Sequence, residues 1–378
     1  MTENWQQMKF TVDDAIPYLR GVLEPFGTVE YLPGKNITRQ DLLDTDAMII
    51  RTRTKCDESL LAGTPVKFIA SATIGMDHVD LEAMKRLGIH FVNAPGCNAM
   101  SVAQYFASVV INEARWTKSN LAEKTLGIIG VGHVGTKVES VARALGMNIL
   151  RNDPPRQKAE GSSQFVSLET VLQEADYITL HVPLDENSEY RTYHLADEEF
   201  FNSLAKKPFF INASRGEVVD SNALKAALIT HRISGAALDV WEDEPEIDRT
   251  LLNLVRYATP HIAGYSADGK ANGTAMSIRA LAEFFNIEAL KHFTVENVPV
   301  PGETELTLPC DDAVGTAVLT TYDVLRDDHI LRESPDTFEK QRSCYPLRRE
   351  FAAYKIKNCI EINEPDLEVL QLLGFQTQ

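Results

Sequence analysis

Three short stretches carry the side chains best suited to chemistry. Asn212-Ala-Ser-Arg215-Gly216 offers a guanidinium, Asp239-Val-Trp-Glu-Asp-Glu244-Pro245 a group of carboxylates, and Thr259-Pro-His261-Ile-Ala-Gly264 an imidazole. An imidazole ionises near pH 6.5, so it takes up and releases protons close to neutrality. A carboxylate on its far nitrogen fixes the tautomer and favours the protonated ring. Glu242, Asp243 and Glu244 are the candidates for that carboxylate. A guanidinium grips a carboxylate or phosphate through its planar fork. Together they provide an anion-binding group and an acid–base pair.

The elements that must position these groups follow from periodicity. Residues 9–12, 28–32, 47–50, 66–70 and 90–92 read as strands, with helical stretches such as 13–23 and 81–87 between them. A helix from Asn98 or Ser101 to about Arg115 leads into a second block. Its strands are expected at 125–129, 148–151, 177–180, 209–212, 235–237 and 256–258, with helices at 134–145 and 222–229. Such alternation predicts an α/β fold of two doubly wound parallel sheets. The three chemical stretches then lie at carboxyl ends of strands, where open α/β sheets bind ligands.

Gly130-Val-Gly132-His133-Val134-Gly135 follows the 125–129 strand and opens a helix. The first glycine permits a tight turn, the second a close approach to a pyrophosphate, and the third tight packing of helix on strand. The helix N-terminus adds free N–H groups and partial positive charge. Asp153 ends the next strand at the offset expected of the acid that binds an adenosine ribose. A 2′-phosphate about 4 Å from that carboxylate would meet about 4 kcal/mol of repulsion per unit charge at an effective dielectric of about 20. NAD is therefore expected rather than NADP, although Arg151 and Arg156 flank the acid.

The three stretches resemble the signatures of the D-2-hydroxyacid dehydrogenases, over residues from about 8 to 290. The resemblance implies two Rossmann-like domains around a deep cleft. The substrate-binding domain would span 1–97, completed by about 265–290, and the NAD-binding domain 98–264. It implies Arg215 on the substrate carboxylate, His261 as the proton acceptor, and Glu244, just before the proline, as its partner. Cofactor contacts would come from Gly130, Gly132, His133, Val134, Gly135, Asp153, Ala213, Ser214, Arg215, Asp239 and Gly264. His133 departs from the Gln or Arg common at its position.

Ile50-Arg51-Thr52-Arg53-Thr54-Lys55 places three cations and two hydroxyls at the end of a strand. Net charge is −17, from 54 acidic and 37 basic residues, so this local basic patch suggests a second anionic group on the substrate. Arg51 and Arg53 are candidates for a phosphate. Within the family, stretches such as Ala72-Thr73-Ile-Gly-Met-Asp-His-Val-Asp80 and Tyr345-Pro-Leu-Arg-Arg-Glu350 resemble the branch that oxidises 4-phospho-D-erythronate. By that resemblance Thr52, Thr73 and Tyr265 contact substrate. Two alternatives stay open: oxidation of D-3-phosphoglycerate or another 2-hydroxy acid, and a nucleotide-sensing, corepressor-like protein without catalysis.

The acidic chain would be repelled by nucleic acid and anionic membranes, so neither is an expected partner. No metal site is expected. Five cysteines without CxxC spacing suit isolated thiols in a reducing cytoplasm. Residues 1–7 lack the pattern of a secretory signal and read as an extension. Residues 291–378, which include the linker Val298-Pro-Val-Pro-Gly302, are expected to form an α+β domain that pairs with its copy in a homodimer. Residues 313–325 suit a helix and 344–348 a turn into another helix; Arg348 and Arg349 are expected at the surface, with a reach into the neighbouring copy's active site as the alternative.

Overall fold

Short apolar runs become parallel strands when both of their faces are covered. A computed structural model of the chain describes residues 8–161 and 163–377. Residues 1–7, read above as an extension, lie outside the described residues. The chain forms two units, one of residues 1–98 with 266–299 and one of residues 99–265 with 300–378.

The first unit holds a parallel sheet of β1 (Met8–Asp13), β2 (Gly27–Leu32), β3 (Ala47–Ile50), β4 (Phe68–Ser71) and β5 (His90–Val92). Its order is β2-β1-β3-β4-β5, the flavodoxin-like winding. The helix Ala267–Phe285 covers it, burying Ile278, Leu281 and Ala282 among Phe10, Val12, Phe68 and Ala70. One expected helix is absent. Residues 14–23 form successive turns and bends, although Ile16, Leu19 and Leu23 are buried at helical spacing. Pro17 removes a backbone donor, and Tyr18 and Gly21 take positive φ of 62° and 86°, which a helix cannot contain.

The second unit holds β6 (Thr125–Ile129), β7 (Asn148–Asn152), β8 (Tyr177–Leu180), β9 (Phe209–Asn212), β10 (Gly235–Leu238) and β11 (Tyr257–Ala258). They form a parallel sheet in the order β11-β10-β9-β8-β6-β7, so winding reverses beside β6, where the glycine-rich turn leaves the sheet. Every residue of β8, β9 and β10 is buried.

The tail, residues 300–378, packs onto this second sheet's layers. Its own strands are two residues each: β12 (Glu305–Leu306), β13 (Lys355–Ile356) and β14 (Gln376–Thr377). They form a third parallel sheet that periodicity did not reveal, because two residues have no period. The expected 313–325 helix is two helices, Ala313–Thr321 and Val324–Glu333; the chain breaks at Tyr322, and Asp323 caps the second by accepting from Leu325 N–H at 3.1 Å. The turn 344–348 leads first into the 3-10 turn Phe351–Ala353, and the next full helix, Glu364–Leu373, comes after β13.

Tail residues Val318, Tyr322, Phe351, Ile356, Leu370 and Phe375 share one apolar core with Tyr105, Phe106, Val109 and Val138 of the nucleotide layer. The long helix Ala99–Thr117 is consequently buried on all sides from Ser101 to Glu113. Its polar residues at 101, 104, 108 and 112 form one stripe, and each bonds to the tail. Ser101 donates to Glu350 (2.8 Å), Gln104 to Thr321 Oγ1 (3.1 Å) and the Arg349 carbonyl (3.0 Å), and Asn112 to Asp323 (3.0 Å), while Ser108 accepts from Val324 N–H (2.9 Å).

The tail also closes a sheet edge. Strand β11 is outermost, and its Ala258 N–H donates to Asp328 at 2.7 Å. Arg332 pairs with both Asp328 oxygens (2.9 and 3.0 Å) and caps the carbonyls of Leu252 (2.6 Å) and Val255 (3.0 Å) at the end of the helix Arg249–Leu254. Asp328→Ala would strand the Ala258 donor and unpair Arg332. We expect a loss of about 2 kcal/mol in urea unfolding monitored by circular dichroism. A loss below about 0.5 kcal/mol would show that the edge needs no such closure.

Candidate active site

The three chemical stretches leave the adjacent strands β9, β10 and β11 at the same end of the second sheet. Asn212 closes the first turn: its side-chain oxygen accepts from Ser214 N–H (3.0 Å) and hydroxyl (2.7 Å), and its amide donates to the Arg215 carbonyl (2.9 Å). Arg215 is half-buried, and its guanidinium donates to the Ser214 carbonyl at 2.8 Å. Gly216 lets this turn touch the next one. A Cβ there would lie 2.0 Å from the Trp241 carbonyl oxygen, so no side chain fits.

His261 Nδ1 lies 2.7 Å from Glu244 Oε2. A carboxylate only accepts, so Nδ1 carries the proton and Nε2 presents its lone pair. The other Glu244 oxygen accepts from Trp241 N–H at 2.9 Å. Of the three candidate acids, Glu244 is therefore the one on the imidazole. Glu242 instead binds His194 (2.7 Å) and Ser221 N–H (2.9 Å), and Asp243 is exposed.

His261 has φ of 56°, a left-handed conformation uncommon for a residue with a Cβ. Asp239 holds it there. The Asp239 carbonyl accepts from His261 N–H (2.7 Å); its carboxylate accepts from the Thr259 hydroxyl (2.7 Å), Ile262 N–H (2.7 Å) and Ala263 N–H (2.9 Å). Asp239, expected on the cofactor, is 1% exposed, and both its oxygens are engaged with the His261 loop. Half-buried Gly264 and Tyr265 end that loop, and the Tyr265 ring lies edge-on to Tyr345, centroids 5.9 Å apart.

The glycine-rich turn has the form a dinucleotide needs. Gly130 has φ of 86°, and a Cβ would lie 2.6 Å from the His181 carbonyl oxygen. Gly132 faces open space, Gly132 and His133 are exposed, and the helix His133–Ala144 begins there, with Val134 partly buried and Gly135 against the Gly130 carbonyl. Asp153 accepts from Val131 N–H in the turn (2.8 Å) and from Arg156 N–H (3.0 Å), which fixes its carboxylate beside the loop. The two flanking arginines carry other carboxylates, Arg151 with Glu139 (3.2 Å) and Arg156 with Glu160 (2.6 Å), and Arg156 also donates to the Val131 carbonyl in the turn. Ala213 is partly buried and Ser214 buried in the Arg215 turn. Buried His181, under the turn, bonds Thr179 at 2.9 Å; burial pushes its pKa down to about 3, which keeps it neutral.

In the first unit, Arg51–Arg53 and Ser71–Thr73 leave the adjacent strands β3 and β4. Thr52 and Arg53 are exposed, and Arg51 donates to the Ala15 carbonyl at 3.2 Å. The Thr73 hydroxyl meets Ser71 Oγ at 2.8 Å. Of the patch's two hydroxyls only Thr52 is available, since Thr54 is buried and bonds the Gly34 carbonyl at 3.0 Å. Lys55 pairs with Asp57 at 3.2 Å.

Two tail residues approach the His261 loop of their own chain, which sequence reasoning did not expect. Arg348, expected at the surface, is 5% exposed; it lies over the Tyr322 ring (4.5 Å) and donates to the Ala263 carbonyl in the His261 loop. Arg342 approaches Glu244. Only the chain-distant contacts reveal them. Asp239→Asn replaces one acceptor by a donor facing an N–H of the His261 loop. We expect a stability loss of about 2 kcal/mol in urea unfolding; an unchanged unfolding midpoint would deny the carboxylate its holding role.

Residues 98–263 match the family model described as D-isomer specific 2-hydroxyacid dehydrogenase, NAD binding domain, and residues 299–374 match a domain of unknown function. The chain is 49% identical to an erythronate-4-phosphate dehydrogenase of Bacteroides fragilis, over 92% of this chain and 99% of that one. It is 42% identical to an Escherichia coli protein of the same name, over 92% and 93% of the two chains. Among solved structures, NAD+-bound 3-phosphoglycerate dehydrogenase of Entamoeba histolytica matches with TM-score 0.63 and 25% identity, over 77% of this chain and 99% of that one. D-Lactate dehydrogenase of Aquifex aeolicus, with NAD and lactic acid, matches with TM-score 0.61 and 25% identity, over 78% and 100%. With its NAD-binding fold, its Arg215, Glu244 and His261, and relatives along nearly its whole length, the chain belongs to the D-2-hydroxyacid dehydrogenases, within their erythronate-4-phosphate dehydrogenase branch.

Proposed function

We propose that this enzyme oxidises 4-phospho-D-erythronate to 2-oxo-3-hydroxy-4-phosphobutanoate with NAD, a step towards pyridoxal 5′-phosphate. The observation that carries the chemistry is the 2.7 Å bond between His261 and Glu244. It leaves Nε2 as the acceptor for the C2 hydroxyl proton. Bound NAD supplies the acceptor for the C2 hydride. Arg215 holds the substrate carboxylate and so orients C2. Glu244 stabilises the imidazolium formed when the proton arrives.

The cofactor rests on the glycine-rich turn and Asp153, with Ala213, Ser214, Arg215, Asp239 and Gly264 assigned to its neighbourhood. Arg51 and Arg53 are assigned to the phosphate, and Thr52, Thr73 and Tyr265 to substrate contact. The identity to the curated relatives, 40% to 49%, supports this substrate over 3-phosphoglycerate. Assays with both acids and NAD test it; preference for 3-phosphoglycerate would overturn the assignment. In the same assay, His261→Ala should lose about 10²–10⁴ in kcat while still binding NAD. Unchanged turnover would remove His261 from the mechanism.

We also assign a cytoplasmic location and a homodimer formed through the tail. Among the described residues no helix is long and apolar enough to cross a membrane. The tail leaves Ile360 wholly exposed, Leu372 64% exposed and Leu347 44% exposed, an apolar set suited to a second copy. Charge replacement at Ile360 and Leu372 should yield monomers in sedimentation velocity; dimers persisting in the double variant would contradict this surface.

A further inference from the structure

The tail reaches the catalytic pair itself. The helix Phe338–Ser343 presents Arg342, and the segment after it presents Tyr345 and Arg348, at intervals of three residues. Arg348 binds the Ala263 carbonyl, and Tyr345 meets the Tyr265 ring, so both hold this segment against the His261 loop. Arg342 Nη1 then lies 4.0 Å from Glu244 Oε2, the oxygen that is 2.7 Å from His261 Nδ1. Its other carboxylate is Glu339, at 3.3 Å. The Arg342 Nε is buried without a hydrogen-bond partner.

A guanidinium so placed acts through charge rather than through a hydrogen bond, since 4.0 Å exceeds bonding range. It attracts the Glu244 carboxylate and disfavours a second positive charge on the imidazole. We propose that Arg342 is a positioning residue of the catalytic pair, its charge beside the Glu244 carboxylate setting the pH at which His261 takes up its proton. This deepens, and for turnover rests on, the proposed dehydrogenase reaction.

The other groups facing this cluster are known. Glu244, Glu339, Asp239 and Tyr265 surround Arg342. Burial works against its charge, and these groups hold it above the usual guanidinium value. Tyr345, Tyr322, Asp327 and Asp239 surround Arg348 in the same way. Tyr345 donates to Asp327 at 2.6 Å, and burial raises the Asp327 carboxyl above its ordinary range.

Removing the cation favours the protonated ring, whereas oxidation needs the neutral ring. Arg342→Gln should therefore move the acid limb of the kcat/KM–pH profile upward, by about half a unit to one unit. Arg342→Lys should restore most of the shift. Glu339→Gln, at a side chain 48% exposed, should move the limb the opposite way by a smaller amount.

A readout without turnover is the titration of His261 by NMR in histidine-labelled full-length protein, assigned with His261→Asn. The same two opposed shifts are expected there. An Arg342→Gln protein with unchanged Tm and an unchanged His261 midpoint would overturn the proposal. So would a tenfold rise in KM with no pH shift, which would make Arg342 a substrate ligand. If Arg342→Gln fails to fold, an unshifted Glu339→Gln overturns it equally. Absence of wild-type turnover on 4-phospho-D-erythronate would instead count against the proposed substrate and leave the titration result standing.

Discussion

The Asp239 carboxylate is the point on which the catalytic geometry of the second unit depends. It sits at the end of β10 and is 1% exposed. Such a buried anion is tolerable only when hydrogen-bond donors replace its water. Three do so, and all come from residues 259–263, the turn that carries His261 in its left-handed conformation. The penalty for leaving that carboxylate unsolvated is thereby converted into a fixed backbone path. With His261 fixed from behind, the Trp241 N–H aims Glu244 by binding its other oxygen.

The tail completes this arrangement from the other side. It shares a core with the nucleotide layer, bonds the polar stripe of the long helix, seals β11 and reaches the His261 loop through Arg348. These contacts differ in kind. The apolar core supplies most of the stabilisation, at about 25 cal/mol per Å² buried. The polar stripe supplies register, because a buried amide or hydroxyl that slips by one turn loses its partner. A segment that packs on the nucleotide layer and also reaches the His261 loop ties the tail's packing to the proton-transfer pair through a few rigid contacts.

Much of this was legible in the sequence where local rules decide. Strands such as 125–129 and 209–212 and the Gly130–Gly135 turn follow from apolar runs, glycine spacing and the helix that must come next. The segment 13–23 misled because its apolar spacing is helical while Pro17 and Gly21 forbid the helix. Arg215, Glu244 and His261 stand out from their motifs, but the part Asp239 plays in holding the His261 loop does not. Among four nearby acids, only the adjacency of β10 and β11 selects it as the anchor of the loop. The contacts of Arg342 and Arg348 were invisible for a related reason: their partners lie about a hundred residues away or nearly so, and nothing near them in the chain records the contact. The polar stripe at 101, 104, 108 and 112 was the one available signal that the long helix would be covered.

That stripe has a consequence for biosynthesis. The partners of Gln104 are 217 and 245 residues further along the chain. At about 5–20 residues per second, translation leaves the helix without them for roughly ten to fifty seconds. Late in that interval, once Ala258 has been made, the nucleotide layer has all its strands but lacks its outer cover. The nascent chain thus presents an apolar face interrupted by amide and hydroxyl groups, a surface less prone to self-association than an unbroken one. The polar ladder that later fixes the tail's register is, until then, the helix's protection against the wrong partner.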